Sequence, residues 1–296
     1  MNPSVPPVAH PTMIPAKDPG RRFGVAFDVE PWRGCPFGCL YCDSIDAIGV
    51  DEALSDVSSR ADLVATFSSE IGHREPGTIV GLGRLFEPYP PLEEKERVTR
   101  RILEAIRDAG AGVVIVTKSP LVTDDADILK EIAKRAPAVV VLSITTMNED
   151  VARKLEAGCP TTAERFRALS RLAQEGILTG VLMQPIVPFV NDTEENVVQI
   201  VRKAKDAGCK FAYPTFGMNL AGRGRDRFLD LIDREFPRLR NVYMDHFGER
   251  RSCQSKAAPA LKKAFVFECR KLRLKYGMND IVRLIRPASN VQLKLF

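Results

Sequence analysis

The sequence predicts an α/β fold built on a parallel sheet, barrel-like or open. Three observations predict it. Short apolar runs rich in β-branched residues alternate with helical patterns, giving six strand–helix units. Those runs are apolar nearly throughout, as strands covered on both faces are. Gly110, Gly176 and Gly208 stand just after helical patterns, where a C-cap residue belongs.

The elements follow in order. Residues 25–30 form the first strand and 78–83 the second. The pattern over 93–109 reads as a helix, 113–118 as the third strand and 125–135 as the next helix. The fourth strand is 139–146, followed by a helix over 162–174. The fifth is 180–187, followed by a helix over 194–207 that Thr193 precedes. The sixth is 210–215, followed by a helix over 225–235. Beyond residue 240 the alternation stops. Residues 258–276 read as one basic helix ended by Gly277, and 286–296 as an exposed tail. Residues 1–20 hold Pro3, Pro6, Pro7, Pro11, Pro15 and Pro19, the composition of an extended arm. The expected organisation is a flexible arm (1–20), a barrel-type body (21–240), a basic extension (241–286) and a tail (287–296).

Composition sets limits on function. At 45% hydrophobic and 27% charged, 296 residues bury a full core without disulfide staples. No run of about eighteen apolar residues is present, so no membrane span is expected. No charged start leads into an apolar stretch, so the expected location is cytoplasmic. The net charge is +5 and unevenly spread. From Arg223 onward, 18 Lys+Arg face 8 Asp+Glu, a net +10 that leaves −5 for the rest. A basic C-terminal quarter suits a polyanion; a solvated, Arg-rich helical surface gives the same count.

Seven cysteines are an odd number, and three crowd into residues 35–42. In a reducing compartment such crowding reads as metal ligation. Cys209, Cys253 and Cys269 read as structural. Gly34-Cys35-Pro36-Phe37-Gly38-Cys39-Leu40-Tyr41-Cys42 has the spacing C-x3-C-x2-C and follows the first strand. In α/β folds, ligands bind beyond the carboxyl ends of strands. Three cysteines leave one metal position open for a reacting ligand. Gly34 and Gly38 let the backbone wrap closely around a bulky inorganic core. The alternative is a structural zinc loop with a distant fourth ligand, His73 or Cys159.

The loop resembles that of the radical S-adenosylmethionine (SAM) superfamily. Several further stretches resemble its spore photoproduct lyase-like group, often labelled DNA repair photolyases: Trp32-Arg33-Gly34-Cys35, Phe86-Glu87-Pro88-Tyr89-Pro90-Pro91-Leu92-Glu93, Val116-Thr117-Lys118-Ser119, Ser143-Ile144-Thr145-Thr146, and Pro185-Ile186-Val187-Pro188-Phe189-Val190-Asn191-Asp192. The resemblance implies a partial (β/α)6 TIM-type barrel with a basic helical C-terminal extension. It implies a 4Fe-4S cluster on Cys35, Cys39 and Cys42 whose fourth iron binds SAM, and an electron donor such as flavodoxin or ferredoxin. SAM is then cleaved to methionine and a 5′-deoxyadenosyl radical. Tyr41 sits where the family places a residue against the adenine. Glu87, Lys118, Ser143 and Thr145 are expected to bind SAM, Lys118 as a point charge on its carboxylate. The Gly-Gly-Glu stretch that many members use is absent, and Glu87 supplies a carboxylate in its stead.

The implied substrate is a nucleic-acid lesion or modified base; a small molecule or peptide is the alternative. Authentic spore photoproduct lyases return a hydrogen atom from a cysteine just after strand two. This chain has no cysteine between Cys42 and Cys159, and Arg84 falls near that position. Asp43 stands where those enzymes have tyrosine after the third cluster cysteine. Cys159 is the remaining candidate hydrogen donor, if its loop turns inward. Arg223 and Arg225 are candidates for phosphates, and Tyr89, Tyr213 and Phe216 for stacking on a base. Gln292-Leu293-Lys294-Leu295-Phe296 resembles the short clamp-binding peptides of bacterial DNA polymerases and repair proteins. Such a terminus inserts its apolar pair into a preformed pocket. A non-catalytic iron–sulfur adaptor docking on the sliding clamp is therefore a third reading.

Overall fold

The computed structural model describes residues 12–44 and 56–286. Six strands, β1 (Phe27–Val29), β2 (Ile79–Leu82), β3 (Gly112–Thr117), β4 (Ala138–Ser143), β5 (Leu178–Met183) and β6 (Phe211–Pro214), lie side by side in chain order. Every neighbouring pair among them is parallel. This order never reverses, which is the winding of a barrel and not of a doubly wound sheet. Among the described residues β6 does not pair with β1, so the barrel is incomplete.

Outside the sheet stand α1 (Leu63–Gly72), α2 (Val98–Asp108), α3 (Ala126–Ala133), α4 (Glu149–Leu155), α5 (Thr162–Gln174) and α6 (Glu194–Asp206). The later part of the chain adds α7 (Gly222–Glu235), α8 (Leu239–Phe247), α9 (Ala258–Leu272) and α10 (Met278–Ile285). Alternation along the strands sorts two cores. Val113, Ile115, Val140 and Leu142 face outward and pack with Ile102, Leu129 and Leu169 of the helices. Val114, Val139 and Val141 face inward with Phe23, Val25 and Phe211. Gly180 leaves the space that the Phe211 ring fills; a Cβ there would lie 2.2 Å from it.

The last described segment seals the open side. The Lys275 N–H donates to Lys210 O at 3.0 Å, and the Ala212 N–H to Lys275 O at 3.0 Å, extending the sheet past β6. Helix α10 then buries Ile281 and Ile285 in the inward core beside Phe23 and Phe211. Arg286 Nη2 reaches Gly24 O at 3.0 Å, next to β1.

Three expectations are corrected. The arm is not free throughout: Ile14–Pro15 pairs antiparallel with Phe27 and Asp28, making a seventh strand. An outer edge suits Pro15, which has no N–H to give. The helix expected over 93–109 breaks at Arg97, which is left-handed at φ 52°. Glu93 causes the break by capping α2: its carboxylate accepts from the Thr99 N–H at 3.0 Å, the Arg100 N–H at 3.1 Å and Trp32 Nε1 at 2.9 Å. The helix expected over 258–276 ends at Leu272, because Arg273 is left-handed and Leu274 turns inward to be buried. Residues 241–286 pack on the barrel: α9 lies on α6, where Arg202 pairs with Glu268 at 2.7 Å.

Candidate active site

A cavity of about 910 Å³ opens at the carboxyl ends of the strands. Cys35, Cys39 and Cys42 line it, together with Tyr41, Glu87, Lys118 and Ser143. The loop after β1 carries the cysteines. Gly34 and Gly38 are left-handed at φ 74° and 58°, a conformation that glycine takes without strain.

The loop is clamped from two sides. Behind it, the Leu40 N–H donates to Leu155 O at 2.9 Å and the Gly158 N–H to Phe37 O at 3.2 Å. Contact there is close enough that a Cβ on Gly158 would meet Pro36 O at 2.8 Å. Across it, Arg227 of α7 reaches the carbonyls of Cys39 at 3.0 Å, Leu40 at 3.4 Å and Gly38 at 3.5 Å. One planar guanidinium thus holds three consecutive carbonyls of the cysteine loop.

Beneath the loop lies a buried charge network. Glu156 and Arg165 form an ion pair at 2.6 Å with both side chains 1% exposed. Tyr41 donates its hydroxyl to Glu156. Lys118 Nζ lies 5.7 Å from the centre of the Tyr41 ring. Burial works against the Lys118 ammonium, but Cys39 and Glu156 outweigh it, and its pKa stands above the ordinary lysine value. Burial pushes the Cys35 thiol up to about 12 and raises Cys42 as well. Cys39 goes the other way: a contact with the Cys159 thiol at 3.6 Å, followed by the charge of Lys118, draws it down.

Glu87 is buried, and its carboxylate accepts from the Thr117 hydroxyl, the Tyr89 N–H at 3.0 Å and the Lys118 N–H at 3.1 Å. Burial raises its pKa, and these donors pull it back. Glu87 therefore stands fixed at the end of β3, on the cavity wall. Ser143 lines the cavity while its carbonyl accepts from Arg165 at 2.9 Å.

Two expected residues are not brought into the cavity. Thr145 is buried outside it; its hydroxyl meets Glu156 at 3.4 Å and its carbonyl takes the amides of Asn191 and Asn196. Cys159 rests against Cys39 at 3.6 Å and does not line the cavity. Three further candidates are structural. Arg225 is buried and ties Gly248 and Arg250; Tyr89 is buried on Asp125 at 3.0 Å; Phe216 packs on Phe265. Tyr213 does line the cavity. Residues 292–296 lie outside the described residues.

Sequence reasoning missed Glu156, Arg165 and Arg227. Helical spacing would have found Arg227. Had α7 been read from Gly222, Arg223 and Arg227 would share one face and Arg225 another.

The donor set fits an iron–sulfur core: three soft thiols on one wall of a cavity, wrapped by two left-handed glycines. Among the described residues no three His, Cys, Asp or Glu side chains converge as a single ion requires. His73 hydrogen-bonds Ser69 O at 2.7 Å on α1, away from the loop. His73 is therefore not brought to the cysteine loop, whereas Cys159, the other candidate fourth ligand, contacts Cys39 at 3.6 Å.

The family model described as the radical SAM superfamily matches residues 29–204. The chain belongs to the radical SAM superfamily. Uncharacterized protein Rv2578c of Mycobacterium tuberculosis is 25% identical over 228 residues, covering 74% of this chain and 66% of the relative. Uncharacterized protein ORF301 of Acidianus two-tailed virus is 30% identical over 205 residues, 64% of this chain and 66% of the relative. The chain thus spans about two thirds of the length of these relatives. Among solved structures, a mutant spore photoproduct lyase superposes with a TM-score of 0.64 at 14% identity, over 91% of this chain and 79% of that one. Another, with bound AdoMet and dinucleoside spore photoproduct, gives 0.58 at 14% identity, over 86% and 76%. The methyltransferase TsrM of Kitasatospora setae, with tryptophan and a SAM analogue bound, gives 0.54 at 14% identity, over 83% and 51%. These likenesses establish the fold, a partial radical SAM barrel. The family implies a 4Fe-4S cluster and SAM.

Among the described residues no helix is long and apolar enough to cross a membrane.

Proposed function

We propose that Cys35, Cys39 and Cys42 hold a 4Fe-4S cluster with one open position for SAM, and that the enzyme abstracts hydrogen from a nucleic-acid lesion or modified base. The observation that carries this is one cavity lined by the three cysteines, by a fixed carboxylate (Glu87) and by a buried ammonium (Lys118). When bound, the cluster supplies the electron that cleaves SAM to methionine and a 5′-deoxyadenosyl radical. The residues bind and orient. Glu87 offers carboxylate oxygens to the methionine amino group. Lys118 offers a permanent positive charge to its carboxylate. Tyr41, held through Glu156, presents a ring to the adenine. Ser143 offers a hydroxyl on the same wall. Helix α10 and the inward core keep water and stray hydrogen donors out of the barrel.

The nucleic-acid reading is supported by the fold shared with spore photoproduct lyase and by the +10 balance from Arg223 onward. A small-molecule or peptide substrate is favoured by one observation: among the described residues, the only cysteines lining the cavity are the three proposed ligands. A sliding clamp contact through Gln292-Leu293-Lys294-Leu295-Phe296 remains a proposal on sequence alone. So do a flavodoxin- or ferredoxin-type donor and a cytoplasmic location.

The test is anaerobic reconstitution with dithionite and SAM, quantifying 5′-deoxyadenosine with plain DNA, ultraviolet-irradiated DNA, RNA and a metabolite extract. Product that rises with a nucleic acid supports the reading. A rise with the extract alone moves the substrate to a small molecule. Alanine variants of Cys35, Cys39 or Cys42 that keep full iron content sink the ligand assignment.

A further inference from the structure

A second charged group lies inside the barrel. Asp28 of β1 pairs in register with Gly81 of β2. Its carboxylate projects into the interior: a Cβ on Gly81 would meet Asp28 Oδ1 at 2.6 Å and the inward-facing Val25 at 2.8 Å. Arg22 binds Asp28 Oδ2, and Arg84 Nε stands 3.8 Å from the same oxygen. Asp28 Oδ1 is buried without a hydrogen-bond partner. The arginines differ from Asp28 in reach: their side chains are 33% and 35% exposed, against 1% for Asp28. Both line the cavity.

This arrangement is out of balance as a purely structural ion pair. Two guanidinium groups carry far more N–H donors than one carboxylate oxygen can accept. Two arginines against one carboxylate leave a net charge of +1, carried by the two members that line the cavity. Around the trio, Phe23 and Tyr213 meet edge to face at 6.3 Å, and Gln184, Asn219 and Gln254 line the same cavity. Aromatic faces and amide edges suit a flat heterocycle.

We propose that Arg22 and Arg84, both paired to the buried Asp28, form a substrate subsite for a phosphate ester of a nucleoside. The arginines receive the phosphate oxygens, and Asp28, which does not line the cavity, holds their guanidinium groups. Arginine is suited to phosphate because its planar donors match two oxygens at once. The inference rests on reading the cavity as the chamber of an enzyme acting on nucleic acid.

The test is equilibrium dialysis of the reconstituted protein with deoxynucleoside 5′-monophosphates and the matching nucleosides. At least one monophosphate is expected to bind about tenfold or more tightly than its nucleoside, the worth of a charge-assisted hydrogen bond. Arg22→Gln and Arg84→Gln each remove that preference, and the Arg→Lys variants recover part of it. Asp28→Asn keeps or tightens phosphate binding, because it removes a competing anion. Arg283→Gln, on the outer surface, serves as the unchanged control. Equal binding of every nucleoside and its monophosphate overturns the proposal. So does a loss of SAM affinity in the arginine variants with monophosphate binding intact, since the pair would then serve the cofactor. If the phosphate preference holds while no protein forms 5′-deoxyadenosine, the proposed function fails and the subsite stands.

Discussion

Glu30, 4% exposed, accepts the Leu85 N–H at 2.9 Å and the Phe86 N–H at 3.4 Å, and so fixes the stretch that leads to Glu87. Burial pushes its pKa up from 4.5 to about 7, against the pull of those two donors. The folded protein therefore holds this proton more tightly than the unfolded chain does. Its contribution is full below pH of about 4.5 and is lost as pH rises toward about 7, a change of roughly 3 kcal/mol. Denaturant unfolding of Glu30→Gln and its parent across that window checks this. The variant should gain on the parent as pH rises, and a constant difference would refute it. At this scale the cysteine cluster was legible, because its three members lie on one short loop, and the structure sets all three on one cavity. The Glu156–Arg165 pair was not, because burial alone distinguishes it from surface charges on the same helical stretch. Thr145 was misjudged for a related reason. Ser143 closes the strand and reaches the cavity, but two residues on the chain has left the strand, and its direction depends on Asn191 and Asn196.

The cysteine loop owes its shape to elements on both sides. The Leu155–Gly158 turn supplies backbone bonds, and α7 supplies Arg227. Outer partners of metal ligands matter to retention, at about 10–100-fold in affinity. Arg227→Gln should therefore lose iron to a chelator roughly 10–100-fold more readily than the parent, with Arg227→Lys between them. Equal retention in all three would show that the carbonyl contacts do not steady the loop. Most elements were visible in advance: the expected helix over 162–174 matches α5 to the residue, and all six strands were found. The misplaced ends have local causes. Periodicity runs unbroken through Arg97 and Arg273, and only the cap of Glu93 and the burial of Leu274 stop the helices there.

In the molecule as a whole, strand–helix alternation foretold the barrel, but nothing in it foretold how the open side is sealed. A helical pattern over 278–285 specifies an apolar face without naming what that face covers. Here it covers the interior: Ile281 is fully buried against the core of Phe23 and Phe211. Ile281→Ala should lower stability by about 2–5 kcal/mol, the cost of a cavity in a close-packed core. Thermal and urea unfolding measure this, and a loss well under 1 kcal/mol would mean that α10 packs loosely.

The seal joins Gly24 to Arg286, residues 262 apart in the chain. Such contacts are among the slowest to form, since the intervening chain must first be closed into a loop. Synthesis adds a stricter order. All six strands have left the ribosome before residues 274–286 exist, so the nascent barrel stands open between β6 and β1. In that interval the inward core of Phe23 and Phe211 lacks Ile281 and Ile285, the side chains that later cover it.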